Sequence, residues 1–538
     1  MKTFPFLEWH SLRADDGTLC LTIALHGDVV GDDIHLEAKT AQNSYRATRS
    51  VTKGDITLFE VSIPFQAFTA EDTLTLALIE QGRIVPVAIT TSHFFPLNEH
   101  LHQAYCILGG YCIMRMGQGL RLTRRFRAWQ QELRLWCEIL CKCRKRRFES
   151  LFTRLLLVFR KRVNARPLWL LMDRPQRADD NTEAFALYLK QQHPEIKIRF
   201  VLNRDSLDRK RLQNVFPLVS YGSRRHRILS ALAQVYVCSD AIRPSWYYAM
   251  SGLQDHFALQ PFVFLQHGVT TNDMSQWLWK YNQNIAGFVT TWERECQHIL
   301  AGDYGYRASQ VWLTGFSRFD RLYDATKGGQ KRITIMPTWR HWLMEGFDAK
   351  RTEWTLKANF EASEYYQFWN AFLNHPRLHQ LAQAHHCEIA FLMHPVLQSA
   401  KAVFTAPNVT FLPADSSYRE VYAKSNCVIT DYSSAVFDFA YLQKPILYAQ
   451  FDQKRFFSGE HTYVKGDFFD HERDGFGEVT TTLDETLDAL AKILANDCQM
   501  DALYIQRLHQ TFPALDQSNS DRIYTHCQRL LNCASVRA

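Results

Sequence analysis

Two histidines and a pair of serines stand where apolar runs end, the positions from which an α/β protein does chemistry. In FVFLQHGVTTND (Phe262 to Asp273), His267 follows an apolar strand and precedes Gly268, which frees the backbone for a tight turn. A neutral imidazole there can take the proton of an incoming hydroxyl. In FLMHP (Phe391 to Pro395), His394 ends a second apolar strand, and Pro395 suits a first helical turn. This histidine can donate to a phosphate oxygen or protonate a leaving phosphate. Taken singly, it reads equally as a histidine satisfied by nearby backbone.

In NCVITDYSSAVFD (Asn426 to Asp438), the strand ends at Asp431 and a helix is predicted from Ser433 or Ser434. Free N–H groups at a helix start, together with two hydroxyls, suit a pyrophosphate. The plainer reading is that the serines only cap the helix. Asp438, one helical turn on, can accept from ribose hydroxyls. Arg340, in MPTWR, is a candidate cation for the same phosphates, and Lys444 a weaker one. No Asp-Xaa-Asp lies near these strand ends, so no metal or other cofactor is expected.

These residues need strand ends to hold them. From Pro167 the chain alternates strand and helix: PLWLLMD, DNTEAFALYLKQQ (capped by Asp180 or Asn181), IKIRFVLN, HRILSALA, QVYVCSD, FVFLQHG, GFVTTW, QVWLTG. A second set runs through RITIMPTWR, CEIAFLMHP, VTFLP, NCVITDYSS and KPILYAQFD, after the Gly- and Lys-rich tract DATKGGQKR. The fold class is α/β, with two doubly wound domains facing across a cleft in a GT-B arrangement. The expected domains are 166–325 on the acceptor side and 326–538 on the donor side, with C-terminal helices.

Residues 1–95 read as a small β-sandwich, with segments such as TLCLTIAL and TLFEVSI separated by turn chemistry. Residues 96–165 read as a basic amphipathic helical segment. Leu122, Phe126, Trp129, Leu133, Trp136 and Leu140 form an apolar stripe. Between Arg115 and Arg166 stand 16 Lys/Arg against 3 Asp/Glu. With a net charge of +7 overall, the rest of the chain is acidic. Such a segment either lies on an anionic membrane or packs on the catalytic domains with a solvated basic face. No recognition module accompanies the charge, which argues against nucleic acid. The 13 cysteines are scattered and read as reduced thiols of a cytoplasmic protein. The first residues lack the apolar core of a signal peptide, and no run suits a membrane span.

In order along the chain, FLQHGVT, TGFSRFDRL, MPTWR, MHP, TDYSSAVFDFAYLQKPILY and FFSGEHTYVKGDFFDHERDGFGEV resemble the CDP-glycerol glycerophosphotransferase family. The likeness runs from about Pro167 to Leu487. It implies transfer of glycerol phosphate, or a related alditol phosphate, from a CDP-glycerol or CDP-ribitol donor. The acceptor is a hydroxyl of a teichoic-acid-like or capsule polymer, or of a lipid-linked acceptor. It further implies His267 as base and His394 as pyrophosphate ligand or acid. Ser433 and Ser434 become phosphate donors, Asp438 the ribose partner, and Thr338 and Arg340 donor-site residues. Two departures stand out: Gln266 where many members have Trp, and Ser317 where Pro is frequent. The sandwich lies outside the likeness and is open to a role in pairing subunits. A peripheral place at the inner face of the plasma membrane is expected. The rival reading is a GT-B glycosyltransferase using a nucleotide sugar.

Overall fold

Runs such as Leu168–Met172 and Cys427–Thr430 are buried along their whole length, as parallel strands covered by helices on both faces require. In the computed structural model they lie at the centres of two parallel sheets. Residues 5–535 are described, except 16, 28–33, 98–99, 125, 144–145, 163–165, 242–250, 349–352, 414, 459 and 462–468. The expected basic residues Arg125, Arg144 and Lys145, and part of the last family-like motif, therefore lie outside the described residues.

The first parallel sheet has seven strands. Their order is Leu218–Ser220, Lys197–Leu202, Leu168–Met172, Val235–Cys238, Phe262–Phe264, Gly287–Thr290 and Val311–Leu313. The second has six: Thr410–Phe411, Cys387–Phe391, Lys331–Ile335, Cys427–Thr430, Ile446–Ala449 and Gly477–Thr480. In both, the third, second, first, fourth, fifth and sixth strands lie side by side, so strand order reverses beside the first strand. Ligands of such sheets sit outside the carboxyl ends of the strands at that reversal. The expected two doubly wound domains are present, in the GT-B arrangement.

The N-terminal sheets extend further than expected. Strands Tyr105–Leu108, Tyr111–Met116 and Gly119–Thr123 continue one sheet of the sandwich to residue 123. Gly109, Gly110 and Gly117 take positive φ and make the two hairpin turns. Leu122 is thus a strand residue rather than the start of a helical stripe. The helices begin only at Ala128–Lys142 and Arg147–Arg162. One side of this pair packs inward through Leu135, Ile139 and Leu151. It is pinned by Arg154, 3% exposed, which pairs with Glu132 at 2.6 Å and Asp255 at 3.0 Å.

A second boundary also moves. The last helix, Asn519–Ser535, leaves the second α/β domain and packs on the first. Tyr524 stacks on His193, with ring centroids 3.6 Å apart, and His526 on Trp312 at 5.1 Å. Asp320 anchors its start by accepting from the backbone N–H groups of Asn519 and Ser520 at 2.9 and 2.7 Å. The helix straps the two domains together, and a single core of buried side chains runs from Trp169 through Phe319 to Phe437.

Candidate active site

A cleft of about 490 Å³ opens between the carboxyl ends of the two sheets. The first α/β domain contributes Gln266, His267, Gly268 and Arg318; the second contributes Thr338, His394, Ser433, Ser434 and Asp438. Residues 120 or more apart in sequence meet here because every parallel strand of a sheet ends on the same edge.

His267 stands on a strained turn. Gln266, just before it, holds φ at +60°, a conformation that usually costs a non-glycine residue about 1–3 kcal/mol. The surroundings enforce it. The Gln266 amide donates to the Val289 carbonyl at 2.6 Å and to Glu295 Oε1 at 3.0 Å. Its side-chain oxygen accepts from the Thr270 hydroxyl at 2.8 Å, and its carbonyl from Asn181 Nδ2 at 2.8 Å. Glu295 is fully buried and also accepts from the N–H groups of Thr270 and Thr291. This web turns the His267 ring out of the sheet and into the cleft, where it is exposed. The crowded cleft walls hold its pKa below the ordinary imidazole range, and the nearby Arg174 charge adds to the effect.

Across the cleft, the donor-side turn approaches closely. A Cβ on Gly268 would lie 3.2 Å from the Ser434 hydroxyl, so glycine lets the two domains meet here. The Ser433 hydroxyl accepts from the Ala435 N–H at 3.3 Å. Thr338 is buried at the cleft wall beside Asp431, whose Oδ1 accepts from its backbone N–H at 2.8 Å. Burial pushes the His394 pKa down to about 4. Its Nδ1 accepts from the Val396 N–H at 3.3 Å, which leaves the Nε2 proton free to donate.

Arg318 ties the halves together. Its guanidinium donates to Asp438 at 2.6 and 2.8 Å, to Asp180 at 2.9 Å, and to the His267 carbonyl at 3.1 Å. Asp180 and His267 belong to one domain and Asp438 to the other. Sequence reasoning quoted Arg318 within TGFSRFD but gave it no role.

A statistical model of the CDP-Glycerol:Poly(glycerophosphate) glycerophosphotransferase family matches residues 153–528. This chain belongs to that family. Among curated relatives, the minor teichoic acid biosynthesis protein GgaB of Bacillus subtilis (strain 168) is 33% identical over 378 residues. That match covers 69% of this chain and 40% of GgaB, so the chain spans well under half of that relative. The teichoic acid poly(glycerol phosphate) polymerase of the same organism is 33% identical over 129 residues, covering 23% of this chain and 16% of that protein. A solved structure of the wall teichoic acid polymerase TagF superposes with a TM-score of 0.51 at 13% identity, covering 72% of this chain and 98% of that chain. This last likeness supports the fold.

Set against the glycerophosphotransferase expectations, five of the seven site residues reach the cleft with a group to offer: His267, His394, Ser433, Ser434 and Thr338. Arg340 does not. It is fully buried behind the cleft wall, paired with Asp452 at 2.7 Å and Asp431 at 2.9 Å, so its charge is already neutralised. Lys444 likewise caps the carbonyls of Tyr422, Ala423 and Ser425 away from the cleft. Asp438 lines the cleft, but both its oxygens face Arg318, which makes it the anchor of that arginine rather than a free ribose acceptor. The helix after the serines starts at Val436 and is only six residues long. Asp180, not Asn181, caps the helix Asn181–Gln192. Gln266 turns its side chain into the domain, where it braces the loop that carries His267.

The buried Arg340 carries a testable consequence. Arg340→Ala strands two carboxylates in the interior and should destabilise the protein by about 3–5 kcal/mol. Chemical denaturation measures this; a loss under 1 kcal/mol contradicts the structural role.

Proposed function

We propose that this chain transfers glycerol phosphate, or a related alditol phosphate, from a CDP-activated donor to a hydroxyl of a teichoic-acid-like or capsule polymer, free or lipid-linked, releasing CMP. The observation that carries this reading is the juxtaposition of His267 with the Thr338, His394 and Ser433–Ser434 group across one cleft, in a chain of the glycerophosphotransferase family. The names of its relatives, all concerned with teichoic acid, support the substrate class.

In this reading the acceptor hydroxyl attacks the β-phosphorus of the donor. A P–O bond forms to the acceptor, the P–O bond to the bridging oxygen breaks, and CMP departs with that oxygen. His267 Nε2 or Nδ1 takes the hydroxyl proton. The Ser433 and Ser434 hydroxyls, the Thr338 hydroxyl and His394 Nε2–H donate to the pyrophosphate oxygens. Phosphoryl transfer asks mainly for such positioning and charge stabilisation, and we assign no resident cofactor. With its pKa near 4, His394 is neutral at pH 7 and acts as a hydrogen-bond donor. The nucleotide-sugar glycosyltransferase reading shares the fold, but the family match favours the CDP-alditol.

We further propose a peripheral membrane location. Trp129, Leu133 and Leu140 on the first basic helix, and Phe148, Phe152, Leu155 and Phe159 on the second, are 42–67% exposed. The stripe thus faces outward, while the opposite sides of the helices pack. Arginines flank it, and an anionic bilayer surface matches that pattern. No helix among the described residues is long and apolar enough to cross a membrane.

Two outcomes are expected. Purified protein given CDP-glycerol or CDP-ribitol and a glycerol-phosphate oligomer should release CMP only when the acceptor is present, whereas UDP-sugars should release no UDP. His267→Ala should lower kcat by about 10²–10⁴-fold. Because His267 must be neutral to accept a proton, the rate should rise with pH through a pKa below the ordinary imidazole range and then level off. Acceptor-dependent turnover in His267→Ala at the wild-type rate would overturn the assignment. Separately, the protein should float with phosphatidylglycerol liposomes, and Phe148→Ser/Phe152→Ser/Phe159→Ser should not; equal flotation of both rejects the membrane face.

A further inference from the structure

Three arginines of the cleft are largely buried: Arg318 serves Asp180 and Asp438, Arg321 faces Glu183 at 3.6 Å, and Arg419 faces Glu420 at 3.2 Å. Two stand open. Arg174 is 49% exposed and lies 3.5 Å from Asp240. Arg177 is exposed and donates to the Ser416 carbonyl at 3.4 Å, near the limit of a hydrogen bond. Both line the cleft.

Their loop is built to present them. It leaves the first strand of the acceptor-side sheet at Asp173, beside the point where strand order reverses. The Arg174 N–H donates to the Arg177 carbonyl at 3.1 Å, closing the turn, and the Pro175 carbonyl accepts from Asn203 at 2.7 Å. Asp173, the acid between strand and loop, points inward and accepts from the N–H groups of Thr182, Asp180 and Glu183. Two exposed guanidiniums on one hydrogen-bonded loop thus line the same cleft. The pyrophosphate-facing hydroxyls and His394 all come from the other domain, whereas this loop belongs to the domain that carries His267. Arg174 lies close enough to His267 for its charge to be felt there.

We propose that Arg174 and Arg177 form a phosphate subsite gripping the acceptor polymer at the phosphodiester adjoining its attacking hydroxyl. The inference rests on the proposed function for its acceptor class. Arginine forks match phosphate oxygens in bidentate fashion, so each phosphodiester in reach strengthens binding. The subsite would hold a chain whose repeat carries a phosphate and would leave an uncharged polyol ungripped.

The test pairs direct binding with kinetics on the full chain. Fluorescent glycerol-phosphate oligomers of increasing length, with glycerol as the uncharged control, are titrated against wild type, Arg174→Gln/Arg177→Gln and Arg174→Lys/Arg177→Lys. Wild type should bind oligomers more tightly than glycerol and lose that preference in high salt. The glutamine double variant should bind oligomers about tenfold more weakly, and its KM for the oligomer should rise by a similar factor while its KM for CDP-glycerol holds. The lysine variant should fall between them. Unchanged oligomer binding in the glutamine variant overturns the subsite. So does a rise confined to the CDP-glycerol KM, which would give these arginines to the donor. A wild type that binds oligomers through these arginines but releases no CMP from either CDP-alditol sinks the proposed reaction and leaves the subsite standing.

Discussion

A single guanidinium fixes the working distance of this molecule. Arg318 sits between two carboxylates from different domains and also holds the carbonyl of His267. Without it, Asp180 and Asp438 would face each other across a poorly hydrated seam, and the His267 loop would lose its register on the Ser433–Ser434 turn. Partly buried ion pairs of this kind add little to stability when compared with a well-packed apolar seam. Their value lies in specifying one arrangement. Here that arrangement is a cleft whose two walls carry different chemistry.

The walls divide the labour. One wall offers neutral hydrogen-bond donors: two serines, a threonine hydroxyl, and an imidazole that burial keeps uncharged. The facing wall offers His267 and two exposed arginines. Such a division suits a reaction that joins a nucleotide-activated phosphate to an anionic chain. The strained Gln266 turn completes it, since a relaxed backbone there would not aim His267 outward.

The parts of this legible in the sequence share one property: they follow directly from the end of an apolar strand. His267, His394, Thr338 and the serines each trail such a run by a few residues, and parallel strands deliver all such positions to one rim. Arg340 obeys the same local rule yet points away, because Asp431 and Asp452 wait behind the wall, and that pairing exists only in three dimensions. Arg318 lies in a short 3-10 turn, where no periodicity announces a direction, and Arg174, although it follows an apolar strand, is exposed by a loop whose course depends on bonds to Asn203 and on its own closure. The sandwich strands between residues 105 and 123 are short and run straight into an arginine-rich segment whose apolar spacing is helical, so only the glycines at 109, 110 and 117 mark the hairpins. The last helix crosses back to the first domain through rings such as Tyr524 and His526, a partnership that local pattern does not encode.

The central claim is that the cleft transfers an intact alditol phosphate by attack at phosphorus. The most direct measurement uses CDP-glycerol carrying ¹⁸O in the non-bridging oxygens of the glycerol-bearing phosphate, followed by mass spectrometry of both products. Transfer at phosphorus places all the label in the new phosphodiester and leaves CMP unlabelled. Label recovered in CDP, with bare glycerol joined to the acceptor, would mean attack at carbon and would contradict the account.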